Sequence, residues 1–198
     1  MPRPRTFDED RAVDAAMRTF WANGYEATTT DDLCAATGLG RSSIYNAFTS
    51  KHELFRRALL HYVETMSTNQ LGILEDEGRS PVERLRDLFS AVIDGEVATR
   101  RDGRSIGCLT VNTTVELAGR DVEAAEILDR DTERRAAALR IVIAAGQRAG
   151  EIATVRDPES VARYLNAVIA GMRVAGQGGA DRAALQSIAD TAVDALTG

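Results

Sequence analysis

Residues 28–54 read TTTDDLCAATGLGRSSIYNAFTSKHEL, and the fold is decided by how this stretch can coil. A run of threonines precedes Asp31 and Asp32, so Thr30 is a good N-cap and the two carboxylates favour the positive end of a new helix. Gly38 stops that helix after residue 37. A second short helix follows Gly40 over about residues 41–48, and Ser50 can cap a third. Two short helices joined by a tight glycine turn have the geometry of a helix-turn-helix. Leu33, Ala36, Leu39, Ile44 and Phe48 occupy its interior positions and can close a small core only if the helices cross steeply. The outward face of the second helix carries Arg41, Ser42, Ser43, Tyr45 and Asn46, with no acidic residue. Such a face suits a groove lined by phosphates.

On the N-terminal side, Val13, Ala16, Met17 and Phe20 recur at helical spacing over residues 8–23, and Gly24 is placed for a left-handed C-terminal cap. On the other side, a helix from residue 51 to about 72 carries Leu54, Phe55, Ala58, Leu59, Tyr62 and Met66 on one face. Ser80-Pro81 and Asp157-Pro158 are cap-plus-proline starts. Between them lie a polar break at 100–105, a short apolar helix over 108–117 and a long amphipathic one over 121–149. Gly176, Gly178 and Gly179 separate the last two helices. No segment alternates as a strand would, so the expectation is an all-α fold of about nine helices. A DNA-binding domain over residues 1–50 would precede a helical domain over 51–198.

The bulk numbers fit this reading. The chain has 198 residues, 44% of them hydrophobic and only 5% aromatic, which favours helices over sheets. Its net charge of −6 argues against a nucleic-acid partner when taken as a sum. The distribution answers that objection: Lys51 is the only lysine, and Arg3, Arg5, Arg41, Arg56 and Arg57 gather in or near the motif. Cys34 and Cys108 are too few for a disulfide framework or zinc site, and each reads as a small buried hydrophobe. His52 and His61 lack zinc-motif spacing and read as surface or packing residues; no cofactor or metal is expected. Without a signal peptide or a run of ~20 apolar residues, the expected location is the cytoplasm, with no membrane partner.

Residues 20–30 (FWANGYEATTT), Asp32-Leu33, Ala36-Thr37-Gly38-Leu39, Ser43-Ile44-Tyr45, Phe48 and residues 50–54 (SKHEL) resemble the N-terminal domain of the TetR family of bacterial regulators. The resemblance is specific over about residues 7–60 and rests on the helical pattern beyond. It implies that Thr29 and Thr30 hold phosphate with hydroxyls and free main-chain N–H groups. Arg41, Ser42, Ser43 and Asn46 would face the major groove, Arg41 being the best candidate for a bidentate guanine contact. Tyr45 and Lys51 would clamp phosphates, and Arg3 and Arg5 would form a flexible arm. Gly40 departs from the family's usual capping Ser or Thr, but glycine serves nearly as well there.

The resemblance also implies a homodimer whose last two helices pair with their copies to read a palindromic operator in double-stranded DNA. Val161, Tyr164, Leu165, Val168 and Met172, with Leu185, Ile188 and Val193, are the expected dimerisation residues. The implied mechanism is repression relieved by a small, largely apolar effector that favours the wrong recognition-helix spacing. Phe89, Ile93, Val111, Asn112, Val115 and Glu116 are the expected pocket residues. Asn112 and Glu116, four apart on an apolar helix, fit either a structural hydrogen-bonded pair or polar anchors in the pocket. The competing classes are an all-α enzyme or carrier, for which no catalytic triad, glycine-rich phosphate loop or metal-spaced cluster appears, and an architectural DNA-binding protein without an effector.

Overall fold

The computed structural model describes residues 8–198, so Arg3 and Arg5 lie outside the described residues. Nine α-helices account for nearly all the regular structure among them. Helix α1 (Glu9–Asn23) is capped by the Asp8 carboxylate, which accepts from the N–H groups of Asp10 and Arg11. Helices α2 (Thr30–Thr37) and α3 (Arg41–Phe48) form the helix-turn-helix, and α4 (Lys51–Glu75) leaves it from a Ser50 cap. Helix α5 (Pro81–Ala98) follows a Ser80–Glu83 capping box. The polar break is a two-rung antiparallel hairpin, Arg100–Arg101 against Arg104–Ser105, too short for side-chain alternation to mark it. Then come α6 (Leu109–Leu117), α7 (Val122–Ala149), α8 (Pro158–Gln177) and α9 (Arg182–Thr197).

Two local expectations are corrected. Thr29, not Thr30, is the α2 N-cap: its extended backbone places its hydroxyl 3.1 Å from the Asp32 N–H, while the Asp32 carboxylate accepts the Thr29 N–H at 2.8 Å. Gly24 ends α1 at φ 81°, ψ 169°, a positive φ but not the left-handed helical region.

Burial divides into two clusters. One joins α1, α2 and α3 to the first half of α4, with Leu109 and Leu117 of α6 and Ala124, Ile127 and Leu128 of α7. The other joins the end of α4 to α5, the second half of α7, α8 and α9. The chain's hydrophobic contacts therefore do not divide at residue 50, because Leu54, Phe55, Ala58 and Leu59 complete the first cluster.

The second cluster absorbs several residues expected elsewhere. Val161, Leu165, Met172, Leu185 and Val193 are buried in the subunit's own core, and Val168 packs against it half-buried. They cannot form a dimer surface as they stand; of the expected set only Tyr164 (44% exposed) and Ile188 (37%) face outward. Phe89 and Ile93 are likewise sealed in this core, while Val115 points to solvent at 83% exposure.

A buried ion pair stitches α5 to α8. Glu96 and Arg173 are almost inaccessible, with Arg173 Nη1 donating to Glu96 Oε1 at 3.1 Å and the Ser105 hydroxyl donating to Glu96 Oε2. Gly176 leaves room for that carboxylate, since a Cβ there would stand 2.7 Å from Glu96 Oε2. Removing one partner strands the other charge away from water. Glu96→Ala is expected to cost about 3–5 kcal/mol of stability, read by urea denaturation of variant and wild type.

Candidate DNA-binding face and the site behind it

Helix α3 buries Ile44 and Phe48 against Leu33 of α2 and against α4, which fixes the opposite face outward. Arg41, Ser42, Tyr45 and Asn46 are exposed there, with Ser43 half-buried beside them. Arg41 Nη2 donates to Asp31 Oδ1 at 2.8 Å, and both side chains are solvent-exposed. This aspartate on α2 was missed by reading α3 alone: it lies ten residues back in sequence but beside the recognition helix in space. The Tyr45 hydroxyl lies 3.4 Å from the Thr30 hydroxyl. Thr29 has its N–H and hydroxyl committed to Asp32, at 2.8 and 2.6 Å, so its donors are not free as expected. The Thr29 hydroxyl and then its N–H hold the Asp32 carboxyl below the usual carboxylate range. Lys51 Nζ stands 4.5 Å over the Tyr25 ring at the start of α4.

Behind this face, α6 is tied in two directions. The Glu116 carboxylate accepts the N–H of Tyr25 at 2.9 Å and of Glu26 at 2.8 Å, so it caps the turn between α1 and α2. Gly24 sits against it, a Cβ there falling 3.1 Å from Glu116 Oε2. Asn112 donates to the Ile106 carbonyl at 3.1 Å and accepts from Gln177 of α8 at 2.8 Å. The two polar residues thus serve as separate ties, not as a mutual pair. Gly107 (φ 71°) permits the second, because a Cβ would overlap the Gln177 side chain at 2.3 Å. His52 Nε2 and Asp121 Oδ2, 2.7 Å apart, link the start of α4 to the N-cap of α7.

A cavity of about 40 Å³ lies between α4, α6, α7 and α8. Val111 is the one expected pocket residue on its wall; the others include Tyr62, Cys108, Asp131, Arg135, Asn166 and Arg173. These walls mix charged and polar groups with the apolar Val63, Met66, Ile169 and Ala170. Arg135 donates to Asn166 Oδ1 at 2.9 Å and to Asp131 Oδ2 at 3.2 Å, and Ser67 donates to Asp131. Cys34 is half-buried and Cys108 buried. The Cys108 sulfur accepts from the Tyr62 hydroxyl at 3.3 Å and lies 3.1 Å from the Thr110 hydroxyl. Burial works to raise its thiol pKa; the Arg173 charge, the two hydroxyls and the Val111 N–H outweigh it and bring the thiol below its ordinary value. Burial and the neighbouring thiol push the Tyr62 phenol well up. Because the lowered pKa enlarges the thiolate fraction at a given pH, the ultraviolet thiolate absorbance of a Cys34→Ser protein should rise at a midpoint below that of a free thiol. A spectroscopic pH titration of that variant, with Cys34→Ser/Cys108→Ser as the blank, checks this.

Known proteins carry the same organisation. The family described as bacterial regulatory proteins, tetR family, matches residues 12–58, and the tetracyclin repressor-like C-terminal domain matches residues 81–192. The HTH-type transcriptional repressor ComR of Escherichia coli (strain K12) is 33% identical over 189 residues, covering 96% of this chain and 89% of ComR. The HTH-type transcriptional repressor DhaR of Mycobacterium sp. (strain GP1) is 30% identical, over 81% of this chain and 78% of DhaR. Among solved structures, a cysteine mutant of the TetR family regulator CifR, complexed with 26bp double-strand operator DNA, superposes with a TM-score of 0.82 at 27% identity, covering 98% of this chain and 99% of that one. No described helix is long and apolar enough to cross a membrane. With both domains matched in order and the helix-turn-helix in place, the chain belongs to the TetR family of bacterial transcription regulators.

Proposed function

We propose that this protein is a homodimeric repressor that grips a palindromic operator in the cytoplasm and is released by a small-molecule effector. The observation that carries the reading is the outward face of α3, held rigid by Ile44 and Phe48 and presenting Arg41, Ser42, Tyr45 and Asn46. The repressor names of ComR and DhaR and the operator-bound CifR support it. Magnitudes favour the transfer of Arg41 from Asp31 to a base. An exposed ion pair contributes about 0–1 kcal/mol, whereas a bidentate guanine contact contributes roughly 1–3 kcal/mol of discrimination.

What the two last helices leave uncovered supports the dimer. Tyr164, Ala167, Gly171 and Val174 form one stripe at helical spacing on α8, and Ala184 and Ile188 continue it on α9. Small residues there allow the close approach of a second copy, and twofold pairing would set two recognition helices about 34–36 Å apart. The effector enters the cavity between α4, α6, α7 and α8. At about 40 Å³ this space holds roughly one water, so an occupant must part the helices. Its mixed walls suit an effector that joins an apolar body to a hydrogen-bonding group. Any shift of α6 passes through Glu116 to the turn that precedes α2.

Fluorescence anisotropy on a duplex from upstream of the protein's own gene tests the reading. Wild-type protein should prefer that duplex over scrambled DNA and weaken steeply with salt. Arg41→Ala should lose about tenfold or more on the operator and little on scrambled DNA; equal affinities for both duplexes in wild type would refute operator recognition. For the assembly, Ile188→Glu places a charge in the apolar stripe, and light scattering should show a monomer that no longer retains the operator. A wild-type protein that is itself monomeric on DNA would refute the dimer.

A further inference from the structure

A second concavity lies away from both the recognition helix and the effector cavity. It measures about 210 Å³ and is bounded by Arg18, Trp21 and Ala22 of α1 and, across from them, by Ala98 at the end of α5 and by Thr99, Arg100, Arg101 and Ile106 of the α5–α6 connection. Its charge pattern is unlike the rest of this acidic chain. Three arginines line it and no acidic residue does. Arg18 is paired with Asp14 on its own helix. Among the described residues, Arg101 forms no ion pair or side-chain hydrogen bond. Arg100 is anchored by a bond from Nη2 to the Ala180 carbonyl, yet its Nε is buried without a hydrogen-bond partner. A buried N–H of a charged group left unsatisfied is costly, so a side-chain shift that brought Arg100 Nε to an acceptor would be favourable. The remaining wall is formed by the Trp21 ring, Ala22, Ala98 and Ile106 with the polar Thr99 among them, and the indole is held in place by donation from Nε1 to the Gly107 carbonyl at 3.0 Å.

We propose that this concavity binds a small amphiphilic carboxylate, its anionic group held by Arg100 and Arg101 and its apolar body laid against Trp21. A guanidinium presents paired donors that match a carboxylate, and a pocket with apolar walls and few convergent polar groups is the usual form of a small-molecule site. The site is separate from the effector cavity: the two share no lining residue.

Trp21 is the single tryptophan of the chain, and its ring lines this wall while meeting Tyr62 edge-on at 5.0 Å, so the arginine variants assign an emission change to this site. The probe is 3-phenylpropionate, with 3-phenylpropionamide as its neutral counterpart and inorganic phosphate as an anion without an apolar body. The carboxylate should change Trp21 emission saturably, and added salt should weaken it. Arg101→Gln and Arg100→Gln should each weaken it about tenfold. Arg101→Gln removes no internal contact, which keeps the test sound should Arg100→Gln unfold. An absent or non-saturable response, an amide that binds as well, or an affinity unchanged in Arg101→Gln would overturn the site. Phosphate binding as tightly as the carboxylate would overturn the amphiphilic ligand. No DNA is present in this assay, so its outcome is independent of the operator-binding reading.

Discussion

Helices α4 and α7 each give one end to the N-terminal cluster and the other to the C-terminal cluster. Close packing makes this a mechanical constraint, because interiors at crystal-like density do not deform continuously. The helix-turn-helix cannot be repositioned against the larger domain without moving α4, and α4 cannot move without disturbing the cavity that Tyr62 and Ser67 line. The short helix α6 adds a polar route to the same end: its Glu116 holds the turn before α2, and its Asn112 holds α8 through Gln177.

Charge is arranged with comparable economy. A chain of net charge −6 is repelled by DNA at long range, and the exposed Asp31 adds to that beside the recognition helix. The same aspartate holds Arg41 oriented. On an exposed surface such a pair is weak enough to be exchanged. The buried pair Glu96–Arg173 is of the other kind, desolvated and enclosed, and it fixes α5 against α8.

Much of this was legible in the sequence. The helix-turn-helix, the Ser80 and Asp157 starts and the order of the helices follow from capping residues, prolines and apolar periodicity, which are local signals. What periodicity cannot encode is the partner of an apolar face. Val161, Leu165 and Met172 form a stripe that looks the same whether it meets α5 or a second subunit, and the structure assigns it to the subunit's own core. Glu116 failed for a related reason. A carboxylate on an apolar helix signals that something binds it, but the donors are two main-chain N–H groups some 90 residues earlier, and no local pattern points to them. The Thr29 cap, one position before the expected Thr30, turned on which threonine adopts an extended backbone.

The length of α4 has a geometric consequence. From Ser67 at the cavity to Lys51 beside the recognition helix the axis runs about 24 Å at 1.5 Å per residue. A helix of that reach acts as a lever. A tilt of about 5° about its cavity end, small enough to come from reseating one side chain, carries the Lys51 end sideways by about 2 Å. Two such levers splayed in opposite directions from a twofold axis would change the separation of their tips by about 4 Å, a sizeable error against a groove repeat of about 34 Å.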